Sequence, residues 1–106
     1  MKQCLRVVAL GAAALVFSGS AIAGDPERGR IIADTCLGCH GIVSYKNVYP
    51  TYHVPKIGGQ HAEYLVDALR AYQEGVRQHP TMRAQAADMS EQDMLDIAAF
   101  FADAPR

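Results

Sequence analysis

Residues 34–41 read DTCLGCHG. Two thiols, Cys36 and Cys39, stand three positions apart, and the imidazole of His40 follows the second directly. Three reactive groups this close suit a disulfide, a metal site, a redox thiol pair or the anchoring of a prosthetic group. Each of these chemistries needs a different fold around it. The rest of the chain has to decide between them.

The segment upstream bears on the compartment. Lys2 and Arg6 give a positive start, Val7 to Phe17 is apolar and uncharged, and Ala21-Ile22-Ala23 offers a small-residue cleavage site. This is the pattern of a secretion signal, cut after Ala23. The apolar run is shorter than the roughly 20 residues a membrane span requires. Cys4 precedes the run, so a lipoprotein signal does not fit. The expected organisation is a leader at 1–23 and one domain at 24–106. Losing Lys2 and Arg6 would leave eight basic residues against eleven acidic ones. With a mildly acidic balance and no basic run, nucleic acid is not an expected partner.

A domain of that size lies near the lower limit for a self-sufficient core. Such domains are usually completed by disulfides, metals or cofactors. A Cys36–Cys39 disulfide would close too short a loop to stabilise the whole.

Three segments have helical character. Asp25-Pro26 is a start signal, with Asp as N-cap and Pro in the first turn. That helix is expected to run to about Cys36 with Ile31, Ile32 and Thr35 toward the core. Gly29 lies inside it, and either a close helix crossing or simple tolerance accounts for it. A second helix is predicted from about His61 to Tyr72 or Gln73, with Leu65, Ala68, Leu69 and Tyr72 on one face and Glu74-Gly75 as its end. A third begins at Ser90, where Ser90 and Asp93 resemble a capping box. Met94, Ile97, Ala98 and Phe101 then form an apolar stripe. Long loops at about 41–60 and 76–89 complete an all-α domain without a convincing strand. Loops this long in a small domain normally wrap something.

These features sort the four chemistries. Structural zinc wants four tetrahedral ligands, whereas Cys36, Cys39 and His40 crowd one side and no second C-x-x-C exists. A thioredoxin-like pair belongs after a strand in a βαβ unit. An isolated disulfide leaves the loops and the small core unexplained. C-x-x-C-H is the attachment pattern of haem c. The two thiols add to the vinyl groups of the porphyrin edge, and the adjacent histidine reaches the iron. For the sixth ligand the residues leave several candidates: Met82, Met89, Met94, His53, His61 and His79. Met82 stands mid-loop after Pro80, with His79 as its main rival. Met94 and Met89 fit core and helix-start positions, and His61 fits a solvent-facing helix start.

The segments CLGCHG, PKIGGQHAEYLVDALRAYQEGVR and MRAQAADMSEQDMLDIAAFFA together resemble the class I c-type cytochromes, most closely the cytochrome c4 and c-553 group. The resemblance implies a small class I cytochrome c fold, three main helices and long loops around one covalent haem c. It implies thioether bonds at Cys36 and Cys39 and axial iron ligands at His40 and Met82. Met82 carries over because the family's ligand methionine lies seven residues before the hydrophobic position, here Met89, that precedes the S-x-x-D helix start. Relatives often carry a second methionine where this chain has Gln85. A backbone carbonyl that orients the ligand histidine would come from Pro55. The loop IVSYKNVYPTYHVP departs from the family. Its Tyr45, Tyr49 and Tyr52, with Lys46 and Lys56, suit either propionate bonding and docking or plain aromatic packing.

The function implied is a periplasmic electron carrier, not an enzyme. It would have transient redox protein partners as donor and acceptor and no small-molecule substrate. It would meet membranes only by docking to membrane-bound redox complexes. The alternative is a haem-based ligand sensor or a peroxidase-like enzyme with a labile sixth ligand. A third reading is a structural domain docked to a larger oxidoreductase.

Overall fold

Asp25 caps the first helix, α1 (Pro26–Ile32), by accepting the N–H groups of Glu27 and Arg28 at 2.9 and 3.3 Å. Pro26 occupies the first turn, where a missing N–H is harmless. The computed structural model describes residues 23–41, 46 and 51–105. Residues 1–22 of the expected leader lie outside these, as do Tyr45 and Tyr49 of the first loop.

The first helix is shorter than its sequence implied. It stops at Ala33, which leaves helical geometry (φ −83°, ψ 6°) and is fully buried. A second helix, α2 (Asp34–His40), starts immediately. The motif therefore occupies a helix of its own rather than trailing the first one. Ile32 packs against the core, but Ile31 is 66% exposed and Thr35 is exposed, contrary to expectation.

Next comes α3 (Ala62–Gln73), preceded by His61 as N-cap. It ends at Glu74, where Gly75 takes a positive φ of 75° that suits glycine. The second loop is not wholly irregular: α4 (Pro80–Ala86) occupies its middle. Pro80 in the first turn signalled it, but a helix this short carries too little periodicity to read. The last helix, α5 (Glu91–Asp103), opens with the full capping box. Ser90 Oγ accepts the Asp93 N–H at 3.1 Å, and the Asp93 carboxylate accepts the Ser90 N–H at 3.0 Å. Among the described residues there is no strand, only an isolated antiparallel bridge between Lys46 and His53.

The core joins Leu65, Val66 and Leu69 of α3 to Met94, Ile97, Ala98 and Phe101 of α5, with Ala33 at the α1–α2 break. It is thin, because only six of these side chains are large.

α1 lies directly on α5. A Cβ on Gly29 would stand 2.0 Å from the backbone oxygen of Asp96, so only glycine permits this approach. A close crossing, not tolerance, explains that residue. The same contact carries a buried polar cluster. Asp96 is 1% exposed, and burying a carboxylate requires partners. It accepts the Asp25 backbone N–H at 2.7 Å, the Gln92 amide at 2.7 Å and the Arg28 guanidinium. These bonds, the Asp25 N–H foremost, hold its carboxyl below the ordinary range despite burial. Arg28 also bridges to Asp93 at 2.6 Å. The Asp93 carboxyl is lowered to about 2, first by the Ser90 backbone N–H and then by Arg28.

Two outcomes follow from this crossing. Gly29→Ala should lower holoprotein stability by about 3 kcal/mol, the upper part of the usual overpacking range, as read from the denaturant midpoint. Asp93 has a depressed folded-state pKa, so its contribution is complete above about pH 4 and is lost as pH falls toward 2. The fall in denaturant midpoint between pH 4 and 2 should accordingly be shallower in Asp93→Asn than in the parent.

Candidate cofactor site

In an α-helix, residues three and four apart share a face. α2 therefore turns Cys36, Cys39 and His40 the same way, and all three line one cavity. All are half-buried, and the two thiols are not joined. Burial is the main influence on the Cys36 thiol and pushes its pKa up.

The cavity measures about 360 Å³. Leu65, Leu69, Ile97 and Phe101 belong to both its wall and the core. Voids in close-packed interiors are rarely larger than a water molecule. A space of this size, continuous with the core, fits a large apolar group that completes the fold.

His40 is oriented from behind. Its Nδ1 lies 2.7 Å from the Pro55 carbonyl oxygen, which can only accept. Nδ1 therefore carries the proton and donates, and Nε2 keeps its lone pair for a metal. The segment after Pro55 is fastened at several points. The Gln60 side chain donates to the Lys56 carbonyl at 2.9 Å, and the Gly59 N–H donates to the Phe101 carbonyl at 2.8 Å. A Cβ on Gly58 would meet the Pro105 oxygen at 2.6 Å. The P-K-I-G-G-Q stretch thus fixes the Pro55 carbonyl against the end of α5.

Met82 lines the same cavity from α4 and packs against the core cluster. Of the other sixth-ligand candidates, Met89, His53 and His79 also line it, whereas Met94 and His61 do not. Met94 is 1% exposed within the core, as the apolar stripe of α5 implied. His61 is exposed at the start of α3. The structure thus gathers Cys36, Cys39, His40 and Met82 around one space. Among the described residues no three His, Cys, Asp or Glu groups stand where they could share a metal ion. An imidazole and thioethers beside two thiols in an apolar cavity suit a flat macrocycle that brings its own metal.

One residue of the site, Arg77, and one that braces α4, Gln73, escaped the sequence reading. Arg77 lines the cavity, lies 4.9 Å over the Tyr72 ring and donates to the Tyr64 hydroxyl at 3.3 Å. Gln73 donates through its amide to the carbonyls of Ala86 and Met89 at 2.9 and 2.8 Å. Gly75 ends α3 just before Arg77, but nothing local tells that Arg77 turns toward the cavity or Gln73 toward the end of α4.

The cytochrome c family model matches residues 26–104. Cytochrome c4 from Thiocapsa roseopersicina is 36% identical over 84 residues, which cover 78% of this chain and 42% of that protein. Cytochrome c-554(548) from Halomonas halodenitrificans is 35% identical over 82 residues, covering 74% of this chain and 95% of the relative. The solved structure of Acidithiobacillus ferrooxidans cytochrome c4 superposes with a TM-score of 0.62 at 22% identity. That match covers 81% of this chain and 53% of the other, and it is a likeness of fold. The chain thus spans about half the length or less of these cytochrome c4 relatives.

Replacing Cys36 and Cys39 with Ala should abolish covalent haem. The measurement is acid-acetone extraction, which should strip all haem from the doubly substituted chain and leave it on the parent.

Proposed function

The chain belongs to the cytochrome c family, with the small all-α class I fold and covalent haem c as cofactor, and on that premise we propose that it is a periplasmic electron carrier with His40 and Met82 as axial ligands. One observation carries this reading: the bond from His40 Nδ1–H to the Pro55 carbonyl, which leaves His40 with the lone pair a metal needs, beside two free thiols on the same helix. The proposed organisation is a leader at 1–23, removed on export, and a monohaem domain at 24–106. The A-x-A pattern before Gly24 supports this. No helix among the described residues is long and apolar enough to cross a membrane.

The haem supplies a reversible Fe(III)/Fe(II) couple. Cys36 and Cys39 tether it, and with His40 on the same helix they fix the edge of the ring and one coordination position together. The Pro55 carbonyl holds the imidazole in one tautomer and one orientation, so His40 need not rearrange between redox states. Met82 offers a neutral, soft thioether that favours the reduced state. Leu65, Leu69, Ile97 and Phe101 exclude water from the cavity, and a low-dielectric wall disfavours the extra charge of the oxidised form. Nothing in this arrangement breaks a bond in a substrate. Exchange with redox protein partners would be brief, through a small docking surface, because a carrier must leave quickly.

Met82→Ala tests the reading. The ferric protein should lose the methionine-to-iron charge-transfer band, its potential should fall, and the reduced protein should gain prompt CO binding. An unchanged band would remove Met82 as ligand. Prompt CO binding by the parent protein would instead favour a ligand-sensing or peroxidase-like haem protein.

A further inference from the structure

His79 lines the cavity beside Met82, yet its bonds differ in kind from those of His40. Its backbone is extended (φ −163°, ψ 106°) and forms the N-cap of α4. Its Nδ1 accepts the backbone N–H of Met82 at 3.2 Å. A nitrogen that accepts from an N–H carries no proton of its own, so in the neutral ring the proton sits on Nε2. One nitrogen is then occupied and the other is a donor. While the cap holds, His79 has no lone pair to give a metal. His40 and His79 are opposite tautomers: His40 has the Nε2 lone pair free, and His79 has neither nitrogen's lone pair free.

The ring of His79 is also packed. It meets Tyr52 edge-on at 4.8 Å between centroids and 87°, and Tyr72 at 6.2 Å and 76°. Next along α4, Thr81 accepts a long bond of 3.4 Å from the Tyr52 hydroxyl. The far end of α4 is fixed independently by Gln73, through the carbonyls of Ala86 and Met89. What depends on His79 is thus the first turn of α4, whose third residue is Met82. Ser, Thr, Asp and Asn are the preferred caps. None of them could cap the turn and also fill the space between two tyrosines.

We propose that His79 is the positioning residue for the sixth ligand: its Nδ1 fixes the turn that bears Met82, its ring ties that turn to Tyr52 and Tyr72, and it does not itself bind iron. This rests on Met82 being the ligand.

The test uses the ferric holoprotein titrated with imidazole, which competes for the sixth position, with the methionine-to-iron band as readout. His79→Leu keeps bulk but removes the acceptor. It should bind imidazole about fivefold more tightly than the parent, the shift expected from losing a typical N-cap. His79→Asn restores the acceptor without the ring contacts, so it should fall between the parent and His79→Leu, within about twofold of the parent. His79→Ala lacks the acceptor without the strain of a branched side chain, and should behave as His79→Leu if that variant fails to mature. Parent-like affinity in the Leu and Ala variants would overturn the proposal. So would an equal gain in the Asn variant, which would assign the effect to ring packing alone. Met82→Ala, run in parallel, separates the two readings. If it keeps the band, the ligand assignment fails. If it loses the band while the His79 variants match the parent, only the positioning role fails.

Discussion

The contact of α1 on α5 is the constraint from which the rest of the structure follows. Gly29 lets the two helices meet backbone to backbone, and Asp96 then has to be buried beneath them. A buried carboxylate with one partner would be a liability, because unpaired buried charge is strongly destabilising. Asp96 has three, from Asp25, Arg28 and Gln92. The cluster therefore fixes both the angle and the register of α1. Because Ala33 breaks the helix one residue after Ile32, that register also sets where α2 points. The thiols and His40 are aimed at the cavity by a polar contact on the far side of α1.

The cavity is the other half of this design. α3 and α5 supply a thin core whose inner side chains double as cavity wall. Covalent haem would thereby complete the core. Without it, the side chains that line the cavity would have little to pack against. A small domain can be stable on these terms only when its apolar filling is bound permanently. Thioether bonds at Cys36 and Cys39, as proposed, would meet that condition and would couple attachment to folding.

Much of this was legible in the sequence because the signals are local. Cys36, Cys39 and His40 fall within one helical turn and a half, so their shared chemistry shows as a spacing. The Ser90–Asp93 box and the stripe from Met94 to Phe101 mark α5 for the same reason. The break at Ala33 was not legible, since neither Gly nor Pro marks it and alanine is the best helix former. Its cause is tertiary: Ala33 is buried where α1 leaves α5. Ile31 is exposed because α1 turns Gly29 and Ala33, each two positions from it, inward. α4 escaped because seven residues are too few to display a period, and Arg77 and Gln73 escaped because their partners lie on other elements.

The two walls of the site consequently differ in how they are held. The side bearing His40 is one helix, with the two proposed tethers Cys36 and Cys39 on it, and it is backed by a carbonyl on a fastened loop. Very little can move there without breaking a bond. The side bearing Met82 is assembled from three separate pieces of chain, joined by a cap, ring contacts and one glutamine amide. Each of these is worth about 1 kcal/mol. Any softness of the two walls must therefore reside on the Met82 side. The same cavity holds one histidine as a donor to a carbonyl and another as an acceptor from an amide. On the proposed assignment, that single reversal of a proton's position divides the ligand from the group that keeps a ligand in place.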